Sequence, residues 1–153
     1  MSLSVTPQAL TLHYDSVVNM VHTPCRVAVA SKYAVSKLPT TENFVALWDT
    51  GATLSGISSR VVQQLGLEPV SRVMVDLADG SSIVPSHFVD IELPNGARFC
   101  DLTVLECDLN PEDVLIGMDI IAQGDMALSA AGGHTTFSFR KPPVGEIDFV
   151  KMT

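Results

Sequence analysis

The residues best suited to chemistry here are Asp49-Thr50-Gly51, which follow directly on the apolar run Phe-Val-Ala-Leu-Trp of residues 44–48. A run of that length reads as a strand, and its end on Asp-Thr-Gly marks a tight turn. Such a strand delivers a carboxylate to the edge of a core. Gly51 lets another backbone or a substrate come close, and the Thr50 hydroxyl can bond across a turn. Two carboxylates about 3 Å apart cannot both ionise, and such a pair hydrolyses amides. The protonated member polarises the carbonyl, and the charged member takes a proton from the attacking water. Only one Asp-Thr-Gly is present, with no Asp-Ser-Gly: Asp15-Ser16 runs into Val17, and Asp79-Gly80 lacks the middle hydroxyl. If the chain hydrolyses peptides this way, the second carboxylate must be Asp49 of another copy, a geometry that a two-fold homodimer supplies directly.

Other chemistries find little support. His13, His22, His87 and His134 are scattered, none with a second ligand four residues on, so no metal site and no cofactor is expected. There is no Gly-x-Ser-x-Gly elbow and no phosphate-binding glycine loop with a lysine. Cys25, Cys100 and Cys107 lack close metal-type spacing, and their odd number reads as free thiols in a reducing compartment. A net charge of −8, with Arg140-Lys141 as the only adjacent basic pair, argues against nucleic acid. No run approaches membrane length and no targeting signal opens the chain, so a cytoplasmic protein is expected. Charged residues make up 17% of the chain and its mean hydropathy is +0.30, a balance that favours burying surface against a partner.

The elements that position Asp49 can be traced along the 153 residues, a length suited to one domain with a sizeable core. Residues 8–22 alternate loosely and suggest one or two strands. Residues 26–35 form a clearer strand, broken by 38–43, so that it and the strand at 44–48 make a hairpin feeding the Asp-Thr-Gly turn. Ser58 is placed to cap a short helix that Gly66 ends. Val73, Val75 and Leu77 alternate in the next strand, and Asp79-Gly80 signals a hairpin turn into residues 83–93. Residues 97–105 and 114–117 read as strands, 119–123 as a helical turn or two, and 127–131 with 135–139 as a last hairpin. Many short strands with turn signals every ten residues or so indicate an all-β barrel or sandwich.

Two of these stretches resemble a known family. Leu-Trp-Asp-Thr-Gly-Ala-Thr-Leu-Ser-Gly-Ile-Ser, residues 47–58, is similar to the catalytic motif of the retropepsin-like aspartic peptidases of retroviruses and their bacterial relatives. Val-Leu-Ile-Gly-Met-Asp-Ile-Ile, residues 114–121, resembles the family's second element, in which two hydrophobics and a glycine lead into a short helix beside the catalytic loop. The resemblance spans residues 24–139. It implies a retropepsin-like acid-protease barrel with one or two short helices and one catalytic Asp per chain.

On that resemblance Asp49 is the catalytic residue, as acid in one copy and base in the other. Thr50 bonds across the dimer, Gly51 leaves room for the substrate backbone, and Ala52 completes the loop. Gly117 lets the helix pack tightly beneath the loop, and Asp119 supports its first turn, where a carboxylate favours the helix dipole. The hairpin about thirty residues after Asp49 falls where the family keeps its flap, with Ala78, Asp79, Gly80 and Ser81 at its tip. Met118 stands where retroviral members often place an arginine, so the ion pair that arginine makes near the dimer interface is expected to be absent. The organisation expected is an N-terminal extension over residues 1–23, the peptidase domain over 24–141 and a tail over 142–153. The function expected is an aspartic endopeptidase, active as a homodimer on peptide or protein substrates. The alternative is a catalytically inactive module of the same fold that binds peptide or serves assembly.

Overall fold

The computed structural model describes residues 6–33, 41–77 and 80–152. In chain order its elements are β1 (Gln8–His13), β2 (His22–Val29), β3 (Thr41–Trp48), β4 (Gly56–Ile57), α1 (Ser59–Leu65), β5 (Ser71–Leu77) and β6 (Gly80–Glu92). They continue with β7 (Arg98–Glu106), β8 (Val114–Ile116), α2 (Met118–Ile121), β9 (Asp125–Ser129) and β10 (Thr136–Lys141). The protein is mostly β, with two short helices among the described residues, as its alternating patterns and closely spaced turns lead one to expect.

Seven strands form one sheet in the order β2-β3-β8-β4-β7-β6-β5, and an added pairing of β2 with β6 closes six of them into a barrel. Closure satisfies the edges an open sheet would leave bare. Strand β6 divides its length between two duties. Its residues 89–92 pair with β2 inside the barrel, whereas residues 80–85 pair only with β5, because β7 joins no earlier than Ser86. The β5–β6 hairpin is therefore a two-stranded arm projecting from the barrel. Met74 and Ile83, opposite each other on one face of that arm, are 69% and 60% exposed.

The arm turns differently from the sequence expectation. Asp79-Gly80 reads as the centre of the turn, yet Gly80 is already the first paired residue of β6, opposite Leu77, with φ of 137°. A glycine suits that backbone because no Cβ obstructs it. Ala78 and Asp79 lie outside the described residues. Ser81, next along, donates to Asp76 Oδ1 at 2.7 Å.

Strand β2 also departs from expectation, starting at His22 and ending at Val29 before a 3-10 turn at Ser31–Tyr33. Pro24 sits inside it opposite Val45, where β6 has not yet joined, so the missing proline N–H breaks no ladder. The helix α1 is bracketed by Ser58, whose side chain accepts from the Val61 N–H, and by Gly66 in the left-handed region.

A second sheet, β1-β10-β9, covers one side of the barrel. Phe137 and Phe139 of β10 are buried, and both rings lie within 4.9 Å of the Trp48 ring at the end of β3. Burying each phenylalanine contributes about 1.5–3 kcal/mol. The strand that carries Asp49 is thereby fixed from behind by aromatic packing. Phe99 extends this layer, and Val27, Ala46, Ile57, Val61, Val89, Val114 and Ile116 fill the core beyond it.

Candidate active site

Asp49 follows β3 immediately, and both sides of its backbone are anchored. The Trp48 N–H donates to the Val21 carbonyl at 3.0 Å, and the Asp49 N–H to the Ile116 carbonyl of β8 at 2.9 Å. Parallel pairing of β3 with β8, Trp48 opposite Ile116, brings the two sequence motifs side by side. The Gly51 N–H donates to Asp49 Oδ1 at 2.8 Å, which orients the half-buried carboxylate. A Cβ on Gly51 would stand 3.1 Å from that oxygen, closer than most real contacts, so glycine suits the turn. Oδ2 has no hydrogen-bond partner among the described residues. Thr50 is exposed, and its hydroxyl likewise bonds to none of them.

The loop after Asp49 is clamped onto α2. Met118 N–H donates to the Ala52 carbonyl at 2.8 Å and Asp119 N–H to the Thr53 carbonyl at 3.2 Å. Gly117 is what allows this approach: a Cβ there would lie 2.8 Å from the Leu54 carbonyl carbon and oxygen and 2.9 Å from the Ala52 oxygen. Asp119 does more than sit in the first turn of a four-residue helix. Its Oδ1 accepts from Ser55 Oγ at 2.7 Å and from the Ile120 N–H at 3.0 Å. Ser55 is fully buried and in turn accepts from the Gly117 N–H at 3.0 Å. Its role was not evident from the sequence, where it is one small polar residue in a run of them.

A second layer steadies the supporting strands. Trp48 Nε1 donates to Thr23 Oγ1 at 3.0 Å in the core. Asp113, buried before β8, accepts from Arg60 Nη1 at 2.8 Å and from the Val45 N–H at 3.2 Å, and its own N–H donates to the Val45 carbonyl. Its carbonyl takes the Ser58 N–H at 2.9 Å, so β3, β8 and the start of α1 meet at one residue.

Beside the carboxylate lies a cleft of about 370 Å³, lined by Met20, Leu47, Asp49, Thr50, Leu128 and Phe137 among others. The mostly apolar walls and single carboxylate suit an extended chain bearing apolar groups. Of the other site residues expected from sequence, Gly80 and Ser81 sit at the far end of the arm rather than in this cleft. Among the described residues, no three His, Cys, Asp or Glu side chains gather into a metal-binding group. No helix there is long and apolar enough to cross a membrane.

Residues 40–123, more than half the chain, match the family model described as "gag-polyprotein putative aspartyl protease". The sequence matches none of the curated proteins. Among solved structures, the chain is similar in fold to a retropepsin-like aspartic protease from Rickettsia conorii. The TM-score is 0.52 at 10% identity, covering 89% of this chain and 96% of that one. The solution structure of the Simian Foamy Virus (mac) protease also matches, with a TM-score of 0.43 at 13% identity over 65% of this chain and 91% of that one. By the family match over the Asp49 and Gly117 motifs, in a barrel of the same fold, this chain belongs to the retropepsin-like aspartyl proteases of the gag-polyprotein family.

Proposed function

We propose that the protein is an aspartic endopeptidase that works as a homodimer, with Asp49 of each copy forming the catalytic pair. The observation that carries this reading is the state of Asp49: one oxygen is held by the Gly51 N–H, and the other has no hydrogen-bond partner among the described residues. Its loop is tied to β8 and α2 by hydrogen bonds that restrain its position. Fixed position is what a shared-proton pair requires, since the two carboxylates must come within about 3 Å and share one proton. The protonated member polarises the scissile carbonyl, and the ionised member removes a proton from the attacking water. The exposed Thr50 hydroxyl, without a partner among the described residues, is available to bond across the two-fold axis. The β5–β6 arm serves as the lid that excludes water and grips the substrate backbone. The substrate is an extended peptide segment with apolar residues at the scissile bond, for which the Leu47, Met20 and Leu128 walls offer surface.

Asp49→Asn tests this directly. Asn keeps the shape and accepts the Gly51 hydrogen bond but cannot take the proton from water. The variant should fold and dimerise like wild type yet cleave no unfolded protein substrate. Cleavage at the wild-type rate would rule out Asp49 as the base, and a wild-type protein that stays at 16.4 kDa in sedimentation would rule out the dimer.

A further inference from the structure

His87 is 1% exposed and sits where β6 passes from the projecting arm into the barrel. Its neighbour Ser86 pairs with Ser71 on β5 and with Leu105 on β7, so the arm is rooted there. Beside it, the Val70 N–H donates to the Ser86 carbonyl at 2.8 Å. Both ring nitrogens of His87 face oxygens. Nδ1 is 3.2 Å from the Glu68 carbonyl oxygen, in the connection between α1 and β5. Nε2 is 3.1 Å from Glu106 Oε2, at the end of β7.

A carbonyl oxygen only accepts, so Nδ1 carries the hydrogen of the first bond. The second bond also needs a hydrogen, on Nε2 or on the carboxyl oxygen. Either way the pair holds one proton more than a neutral ring beside a bare carboxylate. The other charged groups near this root do not substitute for it. The Glu68 carboxylate and Arg72, which stands opposite Pro85 on β5, are exposed. Cys107, next to Glu106, has its thiol pushed up by burial first and by the Glu106 charge second. Among the described residues, Glu106 has no lysine or arginine as an ion-pair partner.

We propose that His87 is a positioning residue whose proton, shared with Glu106, latches the root of the β5–β6 arm to the barrel. With the proton in place, three segments are tied through one ring: the α1–β5 connection, β6 and β7. Without it, a nitrogen lone pair faces a carboxylate, the bond is lost, and a buried polar atom is left without its partner. The arm then pivots more freely. Its importance for turnover rests on the reading of the arm as a lid; the latch itself does not.

The test is amide hydrogen exchange over β5 and β6 in the full chain at about pH 5 and about pH 8, on either side of the range where histidine ordinarily titrates. After correction for intrinsic exchange, wild type should open about tenfold more at the higher pH, the scale of one lost charge-assisted bond. In Glu106→Gln the side-chain amide can accept from a protonated ring or donate to a neutral one, so protection should be equal at both pH values. Equal opening of wild type at both pH values would overturn the latch, as would a pH difference that survives in Glu106→Gln. A pH-sensitive arm in a protein that cleaves no peptide would sink only the peptidase reading. Cleavage with a pH-insensitive arm would sink only the latch.

Discussion

Ser55 donates to Asp119 Oδ1 at 2.7 Å while accepting from the Gly117 N–H at 3.0 Å, joining the loop after Asp49 to the start of α2 across 64 residues of sequence. Both bonds are shielded from water by the burial of Ser55. Ser55→Ala would leave the Gly117 N–H without its acceptor and Asp119 Oδ1 with only the Ile120 N–H as donor. Stability should fall by about 1–3 kcal/mol, the cost of stranding buried polar groups. Chemical denaturation reads this directly, and a midpoint equal to wild type would show that the bracket carries no weight.

Gly117→Ala should act on activity more than on fold. The new methyl would meet backbone atoms of Leu54 and Ala52, which cannot swing aside as the tip of a side chain could. The loop must shift, and a displacement near 1 Å at a catalytic group costs on the order of a hundredfold in rate. Turnover at the wild-type rate, with circular dichroism unchanged in both proteins, would mean the loop tolerates the added methyl.

Two carboxylates contribute to the behaviour in acid. Asp125 is held below the usual carboxylate range by the Val144 N–H first, then by Arg140 and the Gly145 N–H. Glu112 is held low chiefly by its hydrogen bond with His22. Because folding depresses both, the stability they contribute is present above the ordinary carboxylate range and is lost as pH falls through their lowered folded values. Asp125→Asn should therefore flatten the acid decline in urea midpoint between about pH 5 and about pH 2. It should also loosen the segment after Lys141, since Asp125 binds the Val144 N–H at 2.8 Å. An unchanged acid slope would contradict this assignment.

The three thiols should label in order. Cys100 is exposed, whereas Cys107 is half-buried with its thiol pushed up by burial and by Glu106. Cys25 is buried and pushed up to about 12, by burial first and by Asp113 second. A thiol reagent at neutral pH should modify Cys100 fastest, Cys107 more slowly, and Cys25 only on unfolding. Mass spectrometry showing early modification of Cys25 would mean that the β2–β3 core opens readily.

Much of the site was legible because local chemistry marks it. Asp49 ends an apolar run, Ser58 and Gly66 bracket α1 with cap residues, and Val114-Leu115-Ile116 runs into a glycine that the packing requires. What could not be read depends on distant partners. Strand β4 is two residues long, too short to show a period, and exists because Gly56 and Ile57 fit between β8 and β7. Ser55 acquires its role only when Asp119 arrives beside it. The pairing of β1 with β10, Leu10 opposite Phe139, joins opposite ends of the chain, and no local pattern encodes that register. Gly80 was misplaced within its turn for a related reason: an Asp-Gly pair fits more than one hairpin register, and the β5 ladder selects Leu77 opposite Gly80.

Mixing subunits tests most directly whether each active site uses Asp49 from two copies, as proposed. Wild-type and Asp49→Asn chains, unfolded together in equal amounts and refolded at fixed total concentration, pair at random. If both carboxylates are needed, only dimers of two wild-type chains work, and activity should fall to about a quarter of that of the all-wild-type sample, the square of the wild-type fraction. Activity of about one half, in simple proportion to the wild-type chains present, would mean that each copy works alone and would contradict the shared pair.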